Sequence, residues 1–344
     1  MSVGHLPLIA MTVALGVSFA GALVLTPIAS WFGERFGLVD RPRAGEVQKR
    51  PAPRSGGYGL VIAFILAVIA SFPLVPHSGD ELMRVVGLIV SALLVLPIAL
   101  IDDLKRLGPL PQLIGQIGLA IVAMAFGLII ENVASPFGGL IVFPMAVAVP
   151  FTLFWIVGMI NTLNWWDTVD GLAAGVTVVA AVVLFVRSVS LGQYTISLLP
   201  LALAGVCVAF LRYNFNPARI FMGTSGSTFL GFALAILALI GGAKIATAAF
   251  VLGLPIIDAA SVILQRSARR RSPFVGGDDA HLPHRLLARG LSARRIVLVI
   301  YGVCAMGGML AMALNGVQKL WAIVIVVAVS VVLALRYVRT RPAD

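Results

Sequence analysis

Four short segments gather carboxylates, amides, hydroxyls and imidazoles inside otherwise apolar sequence. Asp102 and Asp103 stand together in Ile-Asp-Asp-Leu-Lys-Arg-Leu. Carboxylates at the edge of a hydrophobic run are costly to desolvate. An adjacent pair could hold Mg2+ against a diphosphate, or one member could act as a general base. The plainer reading is a solvated helix end balanced by Lys105 and Arg106. Asn161-Thr-Leu-Asn164-Trp-Trp-Asp167-Thr-Val-Asp170-Gly171 carries two amides and two carboxylates between apolar runs. It suits a metal or a polar headgroup, and Asp167 and Asp170 would share one face if the segment were helical. Trp165 and Trp166 read as interfacial anchors ahead of substrate stacking.

Phe221-Met-Gly223-Thr224-Ser225-Gly226-Ser opens an apolar run. Hydroxyls and free backbone N–H groups at a helix start suit phosphate, although Gly and Ser also mark ordinary turns. Gly276-Gly-Asp-Asp-Ala-His281-Leu-Pro-His284-Arg285 follows the basic run Arg269 to Arg271. Two imidazoles beside a guanidinium could position or neutralise a phosphate leaving group or move a proton. Zinc fits poorly, because no further His or Cys accompanies them on that side. A fifth segment, Lys49-Arg-Pro-Ala-Pro-Arg54-Ser-Gly-Gly57, is a shaped basic loop. Attraction to anionic lipid explains most of its charge, and Lys49 or Arg54 could also meet a nucleotide phosphate.

The elements that must position these groups are membrane helices. Of 344 residues, 60% are apolar and 11% charged, with a mean hydropathy of +1.04, which excludes an ordinary soluble domain. A formal charge of +11 would suggest nucleic acid in a soluble protein; here its distribution matters more. About eleven apolar runs approach the length of a spanning helix, from Leu6–Ala29 to Leu320–Leu335, and Thr228–Ile240 is the shortest. With the N-terminus outside, the 25 Lys and Arg all fall on the inner side except Arg84, Arg187, Lys244 and Lys319, the distribution expected of cytoplasmic loops. The C-terminus is then cytoplasmic. No Lys or Arg precedes the first run and it is long, which argues against a cleaved signal peptide. Cys207 and Cys304 lie inside apolar runs without a disulfide or metal pattern.

The expected architecture is therefore an all-α helical bundle forming a single transmembrane domain over residues 1–344. Its inner loops fall at about 31–56, 102–111, 161–170, 212–227 and 265–294, and all five segments lie on them. Polar groups thus gather at one face, whereas a secondary transporter would concentrate them near the midplane.

In this order, the five segments resemble the polyprenyl-phosphate N-acetylhexosamine-1-phosphate transferases of glycosyltransferase family 4. The likeness runs from Asp40 to about Leu287, and the His-Leu-x-His-Arg-Leu-Leu box is closer to the N-acetylglucosamine-1-phosphate branch than to the lipid I synthases. It implies transfer of a sugar-1-phosphate from a UDP-sugar to undecaprenyl or another polyprenyl phosphate, with release of UMP and use of Mg2+ or, alternatively, Mn2+. It also implies a multi-pass protein of the plasma or inner membrane, a site facing the cytoplasm, contact with membrane lipid, no nucleic acid, and an assembly that admits a homodimer.

Carried over by motif, Asp102, Asp103, His281 and His284 would be catalytic. Asp103 and Asp167 would hold metal, and Lys49, Arg54, Asn164, Asp170, Thr224, Ser225 and Arg285 would bind substrate. Three departures stand out. Thr224 occupies a position that is usually Asp, Thr168-Val169 replaces Gly-x between the two aspartates, and Pro283 replaces a histidine. The loss of an acid at 224 raises the alternative of a catalytically silent homologue that binds lipid or nucleotide.

Overall fold

The computed structural model describes residues 6–40, 51–105, 107–240, 244–268 and 281–325. Within these it is a helical bundle: α1 (Leu6–Arg35), α2 (Gly56–Ser71), α3 (Gly79–Lys105), α4 (Pro109–Ala125), α5 (Met145–Trp166), α6 (Leu172–Ser190), α7 (Tyr194–Asn214), α8 (Gly223–Leu239), α9 (Ile245–Val251), α10 (Gly253–Ala268), α11 (Leu282–Ala288) and α12 (Ala293–Ala313). A further apolar helix, α13, occupies Gly316–Ile325. Two short antiparallel pairs complete it, Val39–Asp40 with Ala52–Pro53 and Asn132–Ala134 with Leu140–Val142.

Among the described residues, seven helices are long and apolar enough to cross a membrane, or eight if α9 and α10, bent by 78° at their junction, form one broken span. Backbone polar groups in hydrocarbon must be satisfied within the chain, which is why apolar runs of this length become helices. Proline is tolerated in this setting, and Pro27, Pro97, Pro150 and Pro200 all lie inside helices. Large apolar side chains such as Leu8, Val24, Phe154 and Leu298 point outward, as a protein solvated by lipid requires.

Each of the eleven runs expected from sequence contains helix, though α4 and α8 are shorter than a full span, and the last run is described only as far as Ile325. The loop boundaries need correction. Helix α5 continues through Asn161 and Asn164 to Trp166, and Asp102 and Asp103 lie in the last turn of α3. The Gly-Thr-Ser-Gly-Ser stretch, expected to start a helix, is the first turn of α8, which shortens the 212–227 loop to end before Gly223. Small and hydroxylated residues look like a linker in sequence, but here they permit close packing.

Helix α8 is the hub. Every residue from Ser225 to Ala238 is buried, and α8 packs against α2, α3, α5, α6 and α9. A helix apolar all round belongs inside a bundle. Its first turn therefore lies at the meeting point of the elements that carry the polar segments.

Candidate active site

The basic loop is fixed to the start of α8 by backbone bonds. Phe221 N–H donates to the Pro53 carbonyl at 2.8 Å, and the N–H groups of Gly56 and Gly57 donate to the carbonyls of Phe221 and Met222 at 2.9 Å. A Cβ on Gly57 would lie 2.1 Å from the Gly226 nitrogen, so the two helices cross backbone to backbone. Gly223 has φ +66°, and a Cβ there would meet the Arg54 carbonyl at 2.0 Å; both facts restrict the position to glycine. Arg54 is thereby aimed across the start of α8.

Its guanidinium donates to Asp103 Oδ1 at 3.1 Å, as an ion pair with a fully buried carboxylate. The Tyr58 hydroxyl donates to Asp103 Oδ2 at 3.3 Å. Asp102 is more heavily bonded. Its Oδ2 accepts from the Thr224 hydroxyl at 2.8 Å, and its Oδ1 accepts from Gln112 Nε2 at 3.0 Å and from Leu107 N–H at 3.1 Å. One turn along α8 from Thr224, the Ser227 hydroxyl donates to Asn164 Oδ1 at 2.8 Å. The first turn of α8 thus joins the end of α3 to the end of α5. Ser225 is wholly buried and bonds back to the Met222 carbonyl at 3.3 Å.

Helix α5 stops at Asp167 (φ −80°, ψ 47°). The shared helical face considered for Asp167 and Asp170 does not form, because both lie in a turn that ends at Gly171 with φ +82°. The turn is anchored from outside: Gly171 N–H donates to Asn214 Oδ1 at 3.0 Å, and Asp170 Oδ2 accepts from Asn216 Nδ2 at 3.0 Å and Ala218 N–H at 2.9 Å. Asp167 accepts no side-chain hydrogen bond among the described residues. Burial and then the neighbouring Asp170 carboxylate push its pKa well above the usual carboxylate range, while Arg54 opposes the shift. Arg54 therefore acts electrostatically on Asp103 and Asp167 together.

A third cluster adjoins this one. Asp258, buried in α10, accepts the Trp166 indole N–H at 3.1 Å on Oδ2 and the Leu282 N–H at 2.9 Å on Oδ1, and its Oδ2 lies 2.8 Å from His281 Nδ1. Trp165 lies beside the His281 ring, with centroids 5.9 Å apart. The two tryptophans are thus not both interfacial anchors, since Trp166 is a buried donor, 1% exposed. His284 and Arg285 lie on α11, and His284 Nε2 is buried with no hydrogen-bond partner among the described residues. Lys49 lies outside the described residues.

The structure therefore brings Arg54, Asp102, Asp103, Asn164, Asp167 and Thr224 around one helix start and places Asp170 and His281 on its flanks. Sequence reading passed over Tyr58, Gln112, Asn214, Asn216 and Asp258. A lone acid inside an apolar run, as in Leu-Pro-Ile-Ile-Asp258, was a usable signal. Tyr58 gave none. Among the described residues, no three His, Cys, Asp or Glu side chains converge as a protein-only metal cage.

The model of the glycosyl transferase family 4 matches residues 85–242. Over 300 residues the chain is 35% identical to a probable undecaprenyl-phosphate N-acetylglucosaminyl 1-phosphate transferase of Bacillus subtilis (strain 168), covering 86% of this chain and 82% of that one. It is 31% identical over 363 residues to a decaprenyl-phosphate N-acetylglucosaminephosphotransferase of Mycolicibacterium smegmatis, covering 96% and 88%. A phospho-N-acetylmuramoyl-pentapeptide-transferase of Clostridium perfringens (strain 13 / Type A) matches over 152 residues at 38% identity, covering 44% and 47%.

Proposed function

The chain belongs to glycosyl transferase family 4, and we propose that it transfers an N-acetylhexosamine-1-phosphate, first of all GlcNAc-1-phosphate, from a UDP-sugar to a polyprenyl phosphate. The observation that carries this reading is the meeting of Asp102, Asp103, Asp167 and Arg54 around the start of α8, at one end of a membrane bundle. Both substrates are anionic, one arrives from water and the other from lipid, and a boundary site serves both. The Lys and Arg distribution supports a cytoplasmic position for that end. The plasma or inner membrane then supplies the lipid substrate.

In the reaction, Asp103, or Asp102 beside it, takes the proton from the lipid phosphate. An oxygen of that phosphate forms a new bond to the sugar-bearing phosphorus of the UDP-sugar. The bond from that phosphorus to the bridging oxygen breaks, and UMP departs with the electron pair. Arg54, His281, His284 and Arg285 offset the charge of the diphosphate, and such transfers depend chiefly on positioning and neutralisation.

The residues present fit Mg2+, with Mn2+ as a substitute. Mg2+ commonly takes one or two protein carboxylates and completes its shell with substrate phosphate and water. Asp167, whose carboxylate accepts no hydrogen bond among the described residues, and Asp103 are the carboxylates that would hold it. When bound, the ion neutralises developing phosphate charge.

Incubating the purified protein with UDP-N-acetylglucosamine, Mg2+ and undecaprenyl phosphate is expected to release UMP and form the lipid diphosphate sugar. No UMP from any UDP-sugar in a panel would overturn the reading and favour the silent homologue suggested by Thr224.

A further inference from the structure

Asp258 stands apart from the aspartates treated so far. It is 7% exposed in α10, just beyond the 78° bend, and both of its oxygens accept hydrogen bonds. The indole N–H and the backbone N–H can only donate to this carboxylate, and its Oδ2 also lies 2.8 Å from His281 Nδ1. A carboxylate offers that nitrogen only lone pairs, so the contact suits the ring form with its proton on Nδ1. His281 is itself 2% exposed, and its Nε2 accepts nothing from and donates nothing to the described residues.

We propose that Asp258 is a positioning residue for His281, holding the proton on Nδ1 and presenting Nε2 to the phosphates of the substrate. The proposal rests on the transferase reading given above. Three features support this role over a purely structural one. The acceptor is charged, where a neutral group would satisfy a buried ring N–H. A carboxylate bonded to one ring nitrogen fixes the tautomer and orientation of the other, as in any carboxylate–imidazole pair that works on a third group. The same carboxylate also binds Trp166, next to Asp167, and the N–H of Leu282, next to His281. One side chain thus sets the imidazole relative to the turn that carries Asp167.

The protein contains four histidines, His5, His77, His281 and His284, so 15N-histidine NMR of the wild-type protein in detergent can be assigned by single substitutions. A protonated Nδ1 on His281 is expected. A neutral ring with its proton on Nε2 would overturn the proposal without any need for an Asp258 variant to fold. The kinetic test is a cycle of Asp258→Asn, His281→Gln and the double variant in the UMP-release assay. Asp258→Asn should lower kcat at least 10-fold with KM changed less than 3-fold. The double variant should be no slower than His281→Gln alone, because Asp258 acts through the ring. Losses that multiply, or an Asp258→Asn enzyme as fast as wild type, would overturn the proposal while leaving the transferase reading intact. An inactive wild type would instead fail that reading.

Discussion

The end of α3 and the turn after α5 each carry two aspartates, and the protein treats the two pairs differently. At α3, both are held: Asp102 by Thr224, Gln112 and Leu107, and Asp103 by Arg54 and Tyr58. In the turn, Asp170 is held by Asn216 and Ala218, whereas Asp167 accepts no side-chain hydrogen bond among the described residues and its proton affinity is raised. A carboxylate already bonded on all sides is a fixed part of the scaffold or a base in a set orientation. One left without donors near other acids is where an arriving positive charge gains most. The contrast is that the α3 pair is held in a fixed orientation, whereas the Asp167 carboxylate is left open.

The largest effect should come from Asp103→Asn. It removes the proposed base and leaves Arg54 without its ion-pair partner, and UMP release should fall on the order of 10²–10⁴-fold with folded protein retained; undiminished turnover would remove Asp103 from the chemistry. Next, Asp167→Asn should reduce activity about 10²–10³-fold yet leave thermal stability equal to or above that of the wild type. The sign follows from linkage. The folded-state pKa of Asp167 lies above its unfolded value, so the folded protein holds the extra proton between the two. The wild type therefore loses stability as pH rises from the ordinary carboxylate range through the raised value. Melting curves across that range should be flatter for Asp167→Asn, and a steeper dependence would contradict the contrast.

Smaller effects should separate the held acids from each other. Thr224→Val removes one of the three donors to Asp102 and should destabilise the protein by about 1–3 kcal/mol, the penalty for a buried acceptor left unmet, with Thr224→Ser close to wild type by thermal melting. Asn216→Ala loosens Asp170 while the Ala218 N–H remains, for about 1 kcal/mol. A larger loss of activity than for Thr224→Val would show that the turn, and not the α3 pair, is the more sensitive to position.

Much of this arrangement was legible in sequence for a simple reason. Lipid forces long apolar runs into helices, so whatever is charged or amidic between them must sit at a boundary, and Asp102, Asp103, Asn164, Asp167 and Asp170 all do. Legibility failed where a residue's role depends on a partner far along the chain. Tyr58 reads as one more aromatic in an apolar run until Asp103 is seen beside it. Asp258 sits mid-run, and only the fold shows that Trp166 and His281 meet it. The start of α8 was read correctly as a helix start, but its backbone-to-backbone contact with α2 was not visible, because glycine and serine serve equally in turns and in helices that pack closely.

The bond between Asp102 and Thr224 joins residues 122 positions apart. During synthesis, the last turn of α3 leaves the ribosome and reaches the bilayer surface long before α8 has been translated. Until then, Asp102 has only water and the nearby Gln112 and Leu107 as partners, whereas Arg54 and Tyr58, the partners of Asp103, are already made. Asp102 locks when α8 inserts among helices already in place. A chain interrupted between α7 and α8 would be membrane-bound and largely helical, with Asp102 and Asn164 lacking the Thr224 and Ser227 hydroxyls and the site incomplete. Assembly of the site is thus a late event in biogenesis, timed by a central helix that arrives eighth.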